Sequence, residues 1–396
     1  MPNSKTNPTV KKENILNTIK GYQEGTDRML SRAKVGTDKS ELKGKVTSEV
    51  AKLHPKRLLL TVKEIIHETP STKTFRMVSN TQTLPPFQAG QYINLFTDID
   101  GVETARPYAI SSCSTQRGYY DLTVKIVDGG FVTGYLLGNN ITVGQQFNAS
   151  SPMGSFYHNP LFHGNDLVFF AGGSGGAPAR SMISHILNRK IKANYHLVYC
   201  NSFENDVIFR DEFRAMAAKH DNFTLTEIIS QPTENHVGLT GHLNKELISE
   251  ILTDVNNKTF YVCGPTPYNE FCRTELKSLG VQNKNIRIEC NGPPKKPSCM
   301  PEWPANISEV DEVKVTIIGR GEYTAKTGEP LLNSLERNGY TIENACRSGE
   351  CSLCRVKVLK GDVFNPPDTR LRKSDKQFGW VHSCVAFPTS DIEILY

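Results

Sequence analysis

The chain has 396 residues, of which 38% are hydrophobic and 22% charged, as in an ordinary globular protein. This length exceeds what one hydrophobic core usually supports and predicts two or three domains. No apolar run is long enough to cross a bilayer and the N-terminus lacks a secretory signal, so we expect a cytoplasmic protein. The net charge of +5 is too small to indicate nucleic-acid binding and at most favours an acidic protein partner.

Residues 1–55 are polar and rich in lysine, and they contain two stretches of helical periodicity. The clearer stretch ends before Pro55 and has apolar residues at Leu42, Val46, Val50 and Leu53. We predict a mostly helical N-terminal extension, which is either a surface appendage or an arm for docking or oligomerisation.

Residues 56–160 change to short segments of β-type residues separated by turn signals such as Pro85-Pro86, Asp100-Gly101 and Asp128-Gly129-Gly130. The predicted strands are Leu58–Ile66, Thr74–Val78, Tyr92–Thr97, Tyr108–Ser112, Tyr120–Val127 and Gln146–Ala149. Short strands at this spacing are typical of an antiparallel barrel or sandwich.

Residues 161–290 alternate between strands and helices. The predicted strands are Leu167–Ala171, His196–Tyr199, Phe223–Ile229, Thr259–Val262 and Asn285–Glu289. The predicted helices run through Met182 and Leu187, around Glu212–Ala218, and over Asn244–Leu252 and Tyr268–Leu279. This alternation predicts an α/β domain with a doubly wound parallel sheet.

Residues 291–310 form a predicted semi-rigid, extended linker, because they include Pro293, Pro294, Pro297, Pro301 and Pro304. Residues 311–396 form the last predicted domain. It has strands at Val313–Ile318 and Cys354–Leu359 and a helical turn near Leu331–Arg337.

This last domain also holds a cysteine cluster with the spacing C-x4-C-x2-C and a fourth cysteine after a further 29 residues, namely Cys346, Cys351, Cys354 and Cys384. A [2Fe–2S] cluster needs four thiolates, and a loop that supplies three of them needs small, flexible residues between its ligands. A structural zinc site and inert thiols are the alternatives, but zinc sites usually show two C-x2-C pairs and only one is present. The segment resembles plant-type ferredoxin domains, which implies an α+β β-grasp fold.

A glycine-rich segment follows the first predicted strand of the α/β domain and consists of Gly172, Gly173, Ser174, Gly175, Gly176, Ala177 and Pro178. A strand that runs into glycines and then a helix offers free N–H groups and the positive end of the helix dipole to a pyrophosphate. Such glycines also close tight connections without binding a ligand, so the segment alone is moderate evidence for a nucleotide.

Four short segments in this order resemble the ferredoxin–NADP reductase superfamily. They are Arg106-Pro107-Tyr108-Ala109-Ile110-Ser111, Gly130-Phe131-Val132-Thr133, Pro152-Met153-Gly154 and Cys263-Gly264-Pro265. The resemblance implies that Arg106 holds flavin phosphate, Tyr108 packs on the flavin, and Gly130 to Thr133 cradle a pyrophosphate, which favours FAD. We also expect Lys125 to bind the cofactor. Cys263 and Glu289 would lie near the nicotinamide and be the catalytic residues.

Two positions depart from the family pattern. Ala109 stands where relatives carry a hydroxyl that can hydrogen-bond the flavin, so that bond must come from backbone or from a neighbour such as Ser111. No arginine stands near Ser202 to hold a 2′-phosphate, and Glu204 would repel one, so NADH is favoured over NADPH, although Arg210 could still reach.

The domain order resembles phthalate dioxygenase reductase-like and hybrid-cluster-protein reductase-like proteins. It implies an NAD(P)H-dependent oxidoreductase that passes electrons through FAD and a [2Fe–2S] cluster to a redox protein, such as an oxygenase, a demethylase or a hybrid-cluster protein. The alternatives are a self-contained diaphorase acting on small acceptors and an inactive iron–sulfur or zinc scaffold.

Overall fold

The computed structural model describes residues 19–35, 40–289, 292–367 and 369–396. The chain divides into two compact units, Met1–Leu53 and His54–Tyr396. The first unit contains the helices α1 (Tyr22–Val35) and α2 (Ser40–Leu53), as the periodicity predicts. Ile19, Met29, Leu30, Val46 and Val50 are exposed in this unit. The first of the two predicted helical stretches begins at Ile15, which lies outside the described residues.

The second unit begins with a six-stranded antiparallel sheet in the order β4-β3-β6-β1-β2-β5. Its elements are β1 (Leu58–Thr69), β2 (Thr72–Val78), β3 (Tyr92–Ile99), β4 (Val102–Ala109), β5 (Tyr120–Lys125), α3 (Phe131–Leu137) and β6 (Gln146–Ala149). An antiparallel bridge between Ile110 and Leu122 joins the chain after β4 to β5. The sheet is therefore closed into a barrel, filled by side chains such as Leu60, Ile93 and Leu122.

The prediction for β4 is wrong in position. The strand covers Val102–Ala109 instead of Tyr108–Ser112, because Asp100 and Gly101 adopt positive φ angles of 53° and 82° and turn the chain directly back onto β3. Helix α3 was not predicted, since its seven residues are too few to show a helical period.

A parallel sheet follows, in the order β10-β9-β8-β7-β11-β12. Its elements are β7 (Asp166–Gly172), α4 (Gly176–Asn188), β8 (Asn194–Asn201), α5 (Arg210–Lys219), β9 (Phe223–Ile229), β10 (Leu239–Thr240), α6 (Lys245–Ile251), β11 (Thr259–Cys263), α7 (Thr266–Ser278) and β12 (Ile286–Glu289). Consecutive residues of β7 enter opposite cores, Phe169 with residues of α4 and α5 and Phe170 with residues of α6 and α7. This confirms the doubly wound sheet and adds the two-residue strand β10.

The C-terminal domain has a mixed sheet in the order β14-β13-β19-β15-β17 and a small ladder of β16 and β18. Its elements are β13 (Glu312–Ile317), β14 (Gly321–Lys326), α8 (Leu331–Arg337), β15 (Arg355–Lys360), β16 (Val363–Phe364), α9 (Lys373–Gln377), β17 (Trp380–His382), β18 (Phe387–Pro388) and β19 (Ile392–Leu395). Helix α8 packs Leu331, Leu332 and Leu335 into the core beside Val315 and Val356.

The proline-rich segment does not remain extended, contrary to its prediction. Within its described part, Pro297–Cys299 form a 3₁₀ turn. The Trp303 ring packs edge-on against Phe364 at 5.1 Å between centroids, and its indole N–H donates to the Ile307 carbonyl at 2.9 Å. One half-buried aromatic side chain thus attaches the segment to the C-terminal domain. Across the described residues, no helix combines the length and apolarity needed to span a membrane.

Candidate functional site

The glycine-rich turn lies at the carboxyl end of β7. Residues Gly173–Gly175 form a 3₁₀ turn, and α4 begins at Gly176. A Cβ atom on Gly175 would overlap the Cys263 carbonyl oxygen, and one on Gly176 would overlap the Tyr199 hydroxyl. Glycine is therefore required for the turn to pack against β8 and β11. Ser174 lies in this turn, and Ala177 and Pro178 are buried in the first turn of α4.

The two predicted catalytic residues lie side by side. Cys263 ends β11, Glu289 ends β12, and the two are register partners in parallel strands. The Asn269 amide fixes this edge by donating to the Glu289 carbonyl at 2.9 Å. Burial raises the pKa of Glu289 to about 8, and the nearby Glu350 and Cys346 add to that shift. Cys263 itself is 3% exposed.

Gly264 and Pro265 connect β11 to α7 next to the same edge. A Cβ atom on Gly264 would lie 2.5 Å from the Tyr268 ring, and one on Gly172 would lie 3.0 Å from it. The two strand ends therefore approach each other closely only because both residues are glycine. Pro265 is the N-cap residue of α7.

The predicted flavin strand is the end of β4 and the residues that follow it. Arg106 Nη1 donates to Thr104 Oγ1 at 2.6 Å and to the Ala105 carbonyl at 2.8 Å. Burial, together with the neighbouring Arg347, lowers the pKa of Arg106 to about 10, so it remains charged at neutral pH. The Tyr108 hydroxyl is buried and has no hydrogen-bond partner among the described residues. An unpartnered buried hydroxyl beside a charged arginine fits a site for a polar, anionic cofactor.

The Ser111 hydroxyl, a candidate to replace the one missing at Ala109, is hydrogen-bonded within the barrel. Its Oγ is fully buried, donates to the Asp121 carbonyl at 3.1 Å and lies 2.8 Å from Thr123 Oγ1. The sequence leaves two sources for a hydrogen bond to the flavin, the backbone and a neighbouring hydroxyl such as that of Ser111. The Ser111 hydroxyl is already engaged in the barrel wall.

Lys125 joins the barrel to the parallel-sheet domain. Its Nζ lies 2.8 Å from Asp206 Oδ2, and Asp206 Oδ1 also accepts hydrogen bonds from Thr69 and Ser71 at 2.5 and 2.6 Å. A Cβ atom on Gly173 would lie 3.6 Å from the Lys125 ammonium. The lysine thus lies beside the glycine-rich turn, with its charge paired across the domain boundary.

The segment Gly130 to Thr133 forms the start of α3. Thr133 Oγ1 accepts a hydrogen bond from the Val127 N–H at 3.2 Å and lies 3.4 Å from the Gly130 carbonyl oxygen, to which it donates. A Cβ atom on Gly130 would overlap Thr133 Oγ1. Phe131 is 47% exposed and Val132 is buried.

A cavity of about 510 Å³ lies beyond the carboxyl end of β8 and is lined by Phe203, Glu204, Asn205, Arg210, Thr233 and His236, among others. The Glu204 carboxylate accepts two hydrogen bonds from Thr233 and lies 3.1 Å from His236 Nδ1. These contacts lower the pKa of Glu204 to about 2, with the Thr233 N–H as the main cause. Arg210 is paired with Glu227 at 2.8 Å. Ser202 is exposed at the strand end.

The four cluster cysteines form two pairs. The Cys346 and Cys351 thiols are neighbours that perturb each other's pKa, as are those of Cys354 and Cys384. The N–H groups of Ser348, Glu350 and Cys351 point at Cys346 Sγ from 3.5, 3.4 and 3.3 Å. The described residues contain no group of three His, Cys, Asp or Glu placed to hold a single metal ion. Two thiol pairs with inward N–H groups fit a two-iron cluster, in which each iron takes two thiolates.

The barrel, the parallel sheet and the cluster loop meet around Tyr92. This residue is the register partner of Ala109, and its ring packs against Gly154. Burial raises the pKa of Tyr92, and Cys346, Cys351 and Glu289 add to the shift because they lie close by. The sequence gives no sign that Tyr92 belongs to the site, because it lies in a predicted strand and in none of the recognised motifs.

Three family models match the chain. They describe an oxidoreductase FAD-binding domain over residues 57–158, an oxidoreductase NAD-binding domain over 169–274 and a 2Fe-2S iron-sulfur cluster binding domain over 315–389. These ranges show an FAD- and NAD-binding oxidoreductase with a [2Fe–2S] domain, as the resemblance to the ferredoxin–NADP reductase superfamily implies. The third domain confirms the [2Fe–2S] interpretation over the zinc alternative.

Relatives of this reductase match most of its length. The chain is 29% identical over 352 residues to the glycine betaine monooxygenase reductase subunit of Pseudomonas aeruginosa, with 86% of this chain and 95% of the relative covered. It is 28% identical to the NADH oxidoreductase HCR of Escherichia coli, with 84% and 95% covered. The solved phthalate dioxygenase reductase matches with a TM-score of 0.63 at 18% identity, over 86% of this chain and 97% of that one. The predicted fold is confirmed.

Proposed function

We propose that this reductase takes electrons from NADH and passes them through FAD and a [2Fe–2S] cluster to a partner redox protein. The observation that carries the proposal is the meeting, around Tyr92, of the Cys263 and Glu289 strand ends, the predicted flavin strand and the cluster loop. Bound FAD would supply the step that neither other cofactor can perform, since a flavin accepts the two electrons of one hydride and releases them one at a time. The proposed domains are residues 56–160, 161–290 and 311–396.

The flavin-binding residues proposed here come from two segments of the barrel. Arg106 holds a phosphate with its Nε and Nη2 donors, which make no hydrogen bond to the described residues, and the Tyr108 hydroxyl meets a polar group of the cofactor. The remaining contacts come from Pro107, Ala109, Ile110, Ser111, Gly130, Phe131, Val132 and Thr133. Ser111 forms part of the wall of this site, because its hydroxyl and its N–H both donate to the Asp121 carbonyl. Lys125 positions the turn at Gly173 while paired with Asp206.

The nucleotide lies over the glycine-rich turn, with Cys263 and Glu289 beside its nicotinamide end and Ser202 beside its adenosine end. Glu204 keeps its negative charge, and Arg210 is already paired with Glu227. This electrostatic environment favours NADH over NADPH, because a 2′-phosphate would meet a carboxylate and no unpaired arginine.

The acceptor is a redox protein of the oxygenase, demethylase or hybrid-cluster type. Relatives include the stachydrine N-demethylase reductase subunit Stc4 of Rhizobium meliloti and the 3-ketosteroid-9-alpha-monooxygenase, ferredoxin reductase component, of Rhodococcus rhodochrous. We place the protein in the cytoplasm, where thiolates that bind iron stay reduced.

The purified protein tests the proposal through its absorbance. Flavin bands should overlie broad iron–sulfur absorption, and NADH should bleach both without oxygen. A colourless protein, or one in which zinc replaces iron, would contradict the proposal. Flavin bleaching with a cluster that NADH never reduces would favour the diaphorase alternative.

A further inference from the structure

A hydrogen bond joins the flavin barrel to the cluster domain across 232 residues of sequence. Thr104 Oγ1, on β4, donates to Glu336 Oε2, on α8, at 2.8 Å. Thr104 is 6% exposed and Glu336 is 7% exposed. A buried carboxylate needs such partners, because its desolvation is costly when it is left without them.

Arg347, which directly follows the cluster ligand Cys346, completes this contact. Its Nη2 donates to Glu336 Oε1 and, at 3.1 Å, to Thr104 Oγ1. Its Nη1 donates to Asn333 Oδ1 at 3.1 Å. The Thr104 hydroxyl also accepts from Arg106 at 2.6 Å, so it donates one hydrogen bond and accepts two, which is its full capacity.

We propose that Thr104, Glu336 and Arg347 are positioning residues that hold the cluster loop against the strand carrying the flavin site. The inference rests on the proposed function. One end of this network is two residues from Arg106 on the same face of β4, and the other is adjacent to Cys346. The network therefore links the strand of the flavin site directly to the cluster loop. Because it is buried, salt screens it little.

The test replaces Thr104→Val and uses Thr97→Val as a matched control. Thr97 is the register partner of Thr104 on β3 and is also 6% exposed, but its hydroxyl has no hydrogen-bond partner among the described residues. Thr104→Ser keeps the hydroxyl. Anaerobic stopped-flow mixing with NADH separates flavin reduction from cluster reduction, and FAD and iron contents are measured for each variant.

We expect Thr104→Val to slow electron transfer from flavin to cluster about tenfold, because loss of the hydroxyl removes its three charge-assisted hydrogen bonds and shifts the docked population. Hydrogen exchange of α8 amides should rise in the same variant. Thr97→Val and Thr104→Ser should behave as wild type in both measurements. Wild-type cluster reduction in Thr104→Val, or an equal loss in Thr97→Val, would overturn the proposal. A wild-type protein whose flavin NADH does not reduce would refute the proposed function instead.

A second surface feature lies next to the exposed part of the cluster loop. Residues 370–376 are fixed to this loop at two points, where Arg370 lies 3.3 Å from Glu350 and Asp375 lies 3.2 Å from Arg355. Glu350 and Arg355 are adjacent to the ligands Cys351 and Cys354. This segment therefore lies beside the cluster.

The same segment is strongly basic. Arg372, Lys373 and Lys376 are exposed and have no ion-pair partner among the described residues. The neighbouring carboxylates of Glu350 and Asp375 are already paired with arginines. Phe378 is 62% exposed and Leu353, inside the cluster loop, 48%. An apolar side chain beside unpaired cations is typical of a surface that binds an acidic protein.

We infer that this basic surface (Arg370, Arg372, Lys373, Lys376 and Phe378) docks the acidic face of the acceptor protein. The test uses rubredoxin, a small acidic electron acceptor, and cytochrome c, a basic one. The double variant Arg372→Glu with Lys373→Glu is compared with Lys326→Glu, which lies on β14 at the opposite edge of the sheet from β17.

We expect the double variant to lower kcat/KM for rubredoxin about tenfold at low salt and to raise it for cytochrome c. Both effects should fade in about 0.5 M salt. Ferricyanide reduction by NADH should stay at the wild-type rate. Unchanged rubredoxin kinetics, or an equal loss in Lys326→Glu, would overturn the inference, whereas wild-type protein that cannot reduce ferricyanide would refute the proposed function.

Discussion

The proposed preference for NADH rests on one carboxylate, Glu204, in the cavity beyond β8. Glu204→Gln removes its charge and retains an oxygen that accepts hydrogen bonds from Thr233. The variant should raise kcat/KM for NADPH and leave kcat/KM for NADH within about twofold, because only NADPH carries the 2′-phosphate.

The cavity size sets the magnitude. A volume of about 510 Å³ corresponds to a radius of about 5 Å, so a 2′-phosphate inside it would lie roughly 6 Å from Glu204 at the wall. Repulsion between a carboxylate and a dianion at this distance in water changes binding about tenfold, and physiological salt reduces the effect to about threefold. The expected gain for NADPH is therefore about threefold to tenfold, larger at low salt.

Steady-state kinetics with both nucleotides measure this gain, with ferricyanide as the acceptor. Glu234→Gln is the control, since Glu234 is exposed and close in sequence to Thr233 but contributes no side chain to the cavity lining. An unchanged ratio of the two kcat/KM values at low salt would refute the reasoning, as would an equal change in the control.

Four further predictions follow from the site. Cys384→Ser should remove the iron–sulfur absorption and the cluster EPR signal while NADH still reduces ferricyanide, since one iron loses a thiolate. Gly175→Ala should abolish flavin reduction by NADH but retain FAD, because the added Cβ overlaps the Cys263 carbonyl; loss of FAD as well would contradict this. Ala109→Ser should change the hydride-transfer rate in stopped flow, and an unchanged rate would argue against a hydroxyl at this position contacting the flavin. Glu289 binds its proton more tightly in the folded state, where its pKa is about 8 against an ordinary 4.5. The free energy of unfolding of wild type should therefore fall relative to that of Glu289→Gln as pH rises from about 4.5 to 8. A difference in unfolding free energy that stays constant across that range would refute this prediction.

Much of this protein follows from local sequence signals. Alternating apolar segments placed all five predicted parallel strands within two residues of their observed ends, and the cysteine spacing identified the cluster. Such features depend on residues close together in the chain, where side-chain period and ligand spacing are set directly by backbone geometry. The same holds for the glycine-rich turn.

Only the tertiary structure determined how these parts are connected. It placed Cys263 beside Glu289, engaged the Ser111 hydroxyl in the barrel wall and packed Trp303 of the expected linker onto Phe364. It also brought Thr104 to Glu336. Each of these contacts joins segments that the chain's local pattern treats as separate. Their pairing is decided by which surfaces meet when the domains pack, and a single sequence carries no direct signal for that choice.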